Sequence, residues 1–203
     1  MDKVNFSAIE NDLLEVCSGI GKAGECEDRY EMGFDCFDSL QDLFRFLRRE
    51  THEFHIFRKL GQWRLVEDHL IPLIVTYSDD KDLCFEAFKL ITVMTMKMPD
   101  ANEVDRPIYL EHLQYVRDIK EVFTSTSSGE EEKSTALDIL MVYLAAAIQG
   151  EGLCATGSTK DAMICEVLLT LVRNLLLIPD PLENEAVRGT GHRTGMHEDL
   201  VVK

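Results

Sequence analysis

The stretch Asp161 to Pro181, DAMICEVLLTLVRNLLLIPDP, leaves this chain the fewest options. Ile164, Leu168, Leu171, Val172, Leu175 and Ile178 recur at three- and four-residue steps, which lines them along one side of a helix. Val167, Leu169, Leu176 and Leu177 extend the apolar surface around it, so the pattern predicts a central helix covered on more than one side. Asp161 suits the positive end of such a helix, and Pro179 forbids its continuation. Glu166, Arg173 and Asn174 interrupt the run well short of the roughly 18 to 20 apolar residues that cross a bilayer, which sets a membrane span aside.

A chain of 203 residues, 45% hydrophobic and 29% charged, is long enough to bury a substantial core in one globular domain. Its 37 acidic against 21 basic residues give a net charge of -16. That balance excludes a surface built throughout for nucleic acid or anionic membrane, so any DNA contact must be local. MDKVNFSAIENDLLEV carries acids where a secretory signal needs a basic start and a continuous apolar segment. Cys17, Cys26, Cys36, Cys84, Cys154 and Cys165 form no CxxC pair and read as reduced thiols of a cytosolic or nuclear compartment.

Taken in order, Val4, Phe6, Ile9, Leu13 and Val16 make a first helical stripe, ended by the glycines of SGIGKAG. A second helix starts near Asp35, with Phe37, Leu40, Leu43, Phe44 and Leu47 on one face. A third, His52 to Leu60, is expected to stop at Gly61. The fourth, Trp63 to Tyr77, must kink or divide at Pro72. Ser78 to Asp80 offers a cap for a fifth helix, Asp82 to Met98. Pro107 opens a sixth that runs to Phe123, and Thr135 to Gln149 forms a seventh before the anchor stretch. No segment alternates like a strand, so no sheet is expected. About eight helices on short connections can close into a bundle or stack as helical repeats, and periodicity alone does not decide between them. The domain is expected over residues 1–181, with 182–203 a polar tail holding the start of a further helix.

Local chemical signatures are few. His52 and His55 lie one helical turn apart, but no pattern supplies the remaining ligands of a metal site. Gly152 to Thr159 has the spacing of a phosphate-binding loop with Ser158 where the lysine belongs, after a helix rather than a strand. Neither a cofactor nor a metal is expected. One cluster departs from the acidic background: Arg45, Arg48, Arg49, Arg58, Lys59 and Arg64, among which only Glu50 and Glu53 are acidic. Such a local positive field suits DNA phosphates or another acidic partner, or the pairing of helix surfaces with neighbouring carboxylates.

Four blocks in order, FDSLQDLFRFLRRE at Phe37 to Glu50, FRKLGQWRLVEDHLIPLI at Phe57 to Ile74, YVRDIKEVF at Tyr115 to Phe123 and LLTLVRNLLLIPDP at Leu168 to Pro181, closely resemble the N-terminal region of the Timeless family. MHEDLV at Met196 to Val201 resembles the opening of that family's next helix. The resemblance implies an all-α, armadillo/HEAT-like right-handed α-solenoid of about eight helices, here cut short on its C-terminal side. It also implies a nuclear, non-enzymatic scaffold of the replication fork protection complex. The partners implied are Tipin, the replicative helicase, Claspin and parental duplex DNA, and no membrane. Clock relatives of the family instead bind Period and cryptochrome.

Overall fold

The computed structural model describes residues 6–24, 29–49, 54–96, 106–124, 135–149 and 158–176. Among them are eight α-helices: α1 (Phe6–Ser18), α2 (Cys36–Arg49), α3 (Phe54–Gln62), α4 (Ile71–Thr76), α5 (Lys81–Met94), α6 (Arg106–Thr124), α7 (Ala136–Gln149) and α8 (Ser158–Leu176). A π-helix, Leu65–Leu70, runs into α4. The fold is all-α, and none of the described helices is long and apolar enough to cross a membrane. The expected tail, residues 182–203, lies outside the described residues, as do most of the phosphate-loop-like segment and His52.

Besides sequential neighbours such as α1 and α2 or α7 and α8, four pairs of helices three positions apart lie against each other. α2 packs on α5 and α5 on α8, while α3 packs on α6 and α4 on α7. Stacked three-helix units produce such contacts, and so do closed helical bundles. α5 sits at the centre of them. Asp80 caps its start by accepting a hydrogen bond from the Leu83 amide at 3.1 Å, as the SDD sequence predicts. Leu83, Ala87, Leu90, Ile91 and Met94 point inward as expected, and Cys84, Phe88 and Val93 are buried with them.

The anchor stretch proves to be an outer helix. Ile164, Leu168, Leu171 and Leu175 of α8 are buried along one stripe, whereas Met163, Leu169 and Leu176 are exposed, so among the described residues cover comes from one side. Asn174, which reads from sequence as an interruption, turns inward. Its amide donates to the Thr92 carbonyl at 3.2 Å and to Thr95 Oγ1 at 3.3 Å, occupying a carbonyl of the last turn of α5. Phe37, expected on the buried face of α2, is exposed, while Leu40, Leu43 and Leu47 are fully enclosed.

The fourth element divides as Pro72 requires, and by a defined device. The Ile71 amide donates to the Val66 carbonyl five residues back, so the π-turn widens the helix where proline lacks a donor and its ring would strike the preceding turn. α3 does not stop at Gly61: it runs to Gln62 and is closed by Arg64 in the left-handed conformation at φ 52°. Gly61 has another reason to be glycine. A Cβ there would stand 3.3 Å from the Tyr115 ring, so its absence lets α3 and α6 approach closely.

A short antiparallel ribbon corrects the expectation of no strand. β1 (Gly21–Ala23) pairs with β2 (Tyr30–Met32), Gly21 opposite Met32 and Ala23 opposite Tyr30. Three-residue strands are too short to show alternation. This pair is fixed instead by tertiary contacts: Tyr30 Oη lies 2.8 Å from His69 Nδ1 on the π-helix, and the Tyr77 hydroxyl donates to the Tyr30 carbonyl at 3.3 Å.

Candidate interaction surface

α3 carries charged side chains to both of its flanks. On one side Lys59 Nζ lies 2.8 Å from Glu10 of α1, and on the other Arg58 Nε lies 2.8 Å from Glu111 of α6. Arg64, just beyond, reaches Asp68 at 3.1 Å. On α2, Arg45 pairs with Asp42 at 2.7 Å and also donates to Gln41, and the Arg48 guanidinium stands 5.8 Å from the Phe44 ring centroid. The Arg49 side chain lies outside the described ones.

The structure therefore divides the basic cluster. Arg45 and Arg48 lie on α2, which packs on α1 and α5, while Arg58 and Lys59 lie on α3, which packs on α6, with Arg64 just beyond it. Four of the five cations with described side chains already have a carboxylate. The partner of Arg48 is an aromatic face. Exposed pairs of this kind contribute only about 0 to 1 kcal/mol each, so an incoming phosphate exchanges with them at little cost. The resulting surface is a set of displaceable ion pairs rather than a bare positive field.

Two clefts flank α3. The one towards α1, about 490 Å³, is walled by Ile9, Leu13 and Ile56 and bridged at its rim by Lys59 and Glu10. The other, about 270 Å³, lies towards α6. Phe57, Ile108, His112 and Tyr115 form its walls, Gly61 its floor, and Arg58, Glu111, Gln114 and Asp118 its rim. Phe57 and His112 meet edge to face with ring centroids 6.0 Å apart. Gln114 Nε2 donates to Asp118 Oδ1 at 2.9 Å. The sequence conceals this second cleft, because Gly61 reads as a helix stop and the glycine-aromatic apposition depends on the α3–α6 crossing.

His112 gives the cleft a pH response. It is buried, with Nε2 3.4 Å from the Met96 carbonyl, and burial holds its pKa below the ordinary 6.5. The unfolded chain therefore binds the extra proton first, and His112 favours the fold above about pH 6.5 and loses that effect as pH falls towards its lower folded value. His69, also depressed by burial, acts in the same direction. The urea midpoint should fall between pH 7 and pH 5, and His112→Gln should flatten that fall. An identical slope in the variant assigns the acid response to other groups.

No group of three or more His, Cys, Asp or Glu among the described residues is placed to hold a metal. Burial lifts the Cys17 thiol to about 12 and those of Cys36 and Cys84 to about 11, far from the range of reactive nucleophiles. Cys36 and Cys84 are fully buried, and the Cys84 thiol donates to the Tyr77 carbonyl at 3.3 Å.

A family model described as "Timeless protein" matches residues 29–203. The chain is similar to Protein timeless homolog of Mus musculus, 27% identical over 183 residues, and to Protein timeless homolog of Homo sapiens, 26% identical over 180 residues. In both cases the match covers 86% of this chain and 14% of the relative's length. A match reaching from before α2 to beyond α8 takes in both helices that carry the basic residues and both sides of the α3–α6 cleft, so the chain belongs to the Timeless family.

Proposed function

We propose that this chain is part of a non-enzymatic scaffold of the replication fork protection type, acting in the nucleus beside a Tipin-type partner, the replicative helicase and Claspin. The observation that carries the reading is the family match over residues 29–203. It is supported by an architecture that spends its buried residues on helix-to-helix contacts and its charged ones on outer faces. In this reading the stacked helices form the first turns of a right-handed solenoid. The work done is mechanical coupling: extended surfaces hold a motor, its template and signalling factors at fixed separations, and no bond is made or broken.

Duplex DNA enters the proposal through Arg45, Arg48 and Arg49 on α2 and Arg58, Lys59 and Arg64 around α3. Their ion pairs would open in exchange for phosphate, giving contact that is sequence-independent and strongly weakened by salt. A fluorescent duplex should lose affinity when Arg45, Arg48 and Arg49 are replaced together by alanine, and unchanged binding removes the DNA role of α2. Capture from S-phase nuclei should recover Tipin and helicase subunits. Recovery of Period and cryptochrome in their place would move the chain to the clock-type reading, in which the same helices bind protein alone.

A further inference from the structure

Phe34 is the most exposed large apolar residue among the described ones, and Met32 and Phe37, close to it in the chain, are exposed as well. The turn that carries it is fixed. The Gly33 amide donates to the Ile20 carbonyl at 2.9 Å, the Cys36 amide donates to the Gly33 carbonyl at 3.2 Å, and the Cys36 side chain is buried. A Cβ at Gly33 would strike the Gly19 carbonyl, so the two backbones approach as only glycine allows. The ring is therefore presented to solvent on a turn with little freedom left to lose on binding. Its surroundings are acidic. Between residues 31 and 38 the chain carries Glu31, Asp35 and Asp38 and no cation, with Lys22 across the ribbon 3.6 Å from Glu31.

The α1–α3 cleft has the opposite character. Ile9, Leu13 and Ile56 wall it, and its charged residues are Arg58 and Lys59 against Glu10, an excess of cation on a chain that is acidic overall. At about 490 Å³ it has ample room for a phenyl ring. Within one molecule the two features stay apart. Gly33 lies against Gly19, just past the end of α1, whereas Ile9 stands about 15 Å earlier along that helix.

We propose that Phe34 of one copy of this chain inserts into the α1–α3 cleft of a second copy. The ring lies against Ile9, with Leu13 and Ile56 behind it, and Asp35 and Asp38 meet Lys59 and Arg58 at the rim. Lys59 gives up its exposed pairing with Glu10 in exchange, a weak attachment to lose. A second copy fits better than a nucleic acid, whose phosphates the acids around Phe34 repel. Because a protruding ring meets a cleft elsewhere on the molecule, the contact joins unlike surfaces, head to tail. It goes beyond the functional reading and stands whether the chain serves the replication fork or the clock.

Sedimentation equilibrium of the whole chain at low salt, at concentrations rising to about 1 mM, should show an average mass that grows with concentration. Phe34→Ser alters an exposed side chain and leaves the core alone, and it should weaken association at least about tenfold. Ile9→Trp, which fills the cleft from its half-buried wall, should do the same. Each variant alone should remain monomeric, yet their equimolar mixture should form a one-to-one dimer, since the first keeps the cleft and the second keeps the ring. A monomeric unaltered chain throughout that range overturns the proposal, as does undiminished association of Phe34→Ser or a mixture without dimer. Should Ile9→Trp fail to fold, amide NMR decides: raising the concentration should shift Leu13, Ile56 and Lys59 in the unaltered chain and not in Phe34→Ser, and shifts confined to other residues overturn the proposal.

Discussion

Replacing Phe88 by alanine should destabilise the fold by about 3 to 5 kcal/mol, the largest loss expected of any single truncation here. Phe88 is wholly buried near the middle of α5, the helix that packs on both α2 and α8. Its ring meets Tyr143 of α7 edge on, with centroids 5.9 Å apart, and Tyr143 in turn donates to the Ser78 carbonyl at 2.7 Å. Removing the ring opens a cavity where several helices converge, and rigid helices cannot collapse into it from more than one side. At about 2 to 4 °C per kcal/mol for a domain of this size, the melting temperature should fall by roughly 6 to 20 °C. A shift below about 3 °C in a circular dichroism melt would show that α5 is not the central support.

Lys89→Met should cost about 3 kcal/mol at pH 7.5 for a different reason. Glu86 is buried in the α2–α5 contact, its Oε2 2.7 Å from Lys89 Nζ and its Oε1 3.5 Å from Gln41 Nε2. The Lys89 ammonium also stands 4.5 Å from the Phe44 ring centroid and 5.5 Å from that of Phe85. Methionine preserves most of the packing but strands a buried carboxylate. The double change Glu86→Leu with Lys89→Met should recover most of the loss, because a well-packed apolar pair replaces a buried ionic one at little net cost. Chemical denaturation of the unaltered chain and of these two variants at pH 7.5 measures both changes. A deficit that persists in the double variant assigns the loss to packing alone.

The helices were legible because each carries its own period and its own punctuation. Asp80 before α5 is a cap in sequence and in structure; Thr135, read from sequence as the first residue of the seventh helix, caps α7, its amide donating to Asp138 Oδ2 at 2.9 Å and the Asp138 amide donating to Thr135 Oγ1 at 3.1 Å. Features decided by helix-to-helix relations were not legible. Apolar content alone marks α8 as central, yet centrality depends on how many neighbours a helix has, and α5 has more. Gly61 and Asn174 carry local signatures of a stop and an interruption, but their roles are set by Tyr115 and Thr92, which lie far along the chain. The ribbon was missed because Tyr30 finds its partners on the π-helix and α4 rather than in its own strand. The basic cluster is visible as composition, whereas its pairing with carboxylates drawn from α1 and α6 depends on the packing.

That arrangement has a consequence for motion. α3 is nine residues long, and its lateral attachments to α1 and α6 include one ion pair on each side, both open to solvent. Counterions compete with such attachments while leaving the enclosed contacts of Ile56, Phe57 and Leu60 untouched. Rising ionic strength thus loosens the rims of both clefts together without unseating the helix, and the aperture on either side of α3 becomes a property of the surrounding electrolyte.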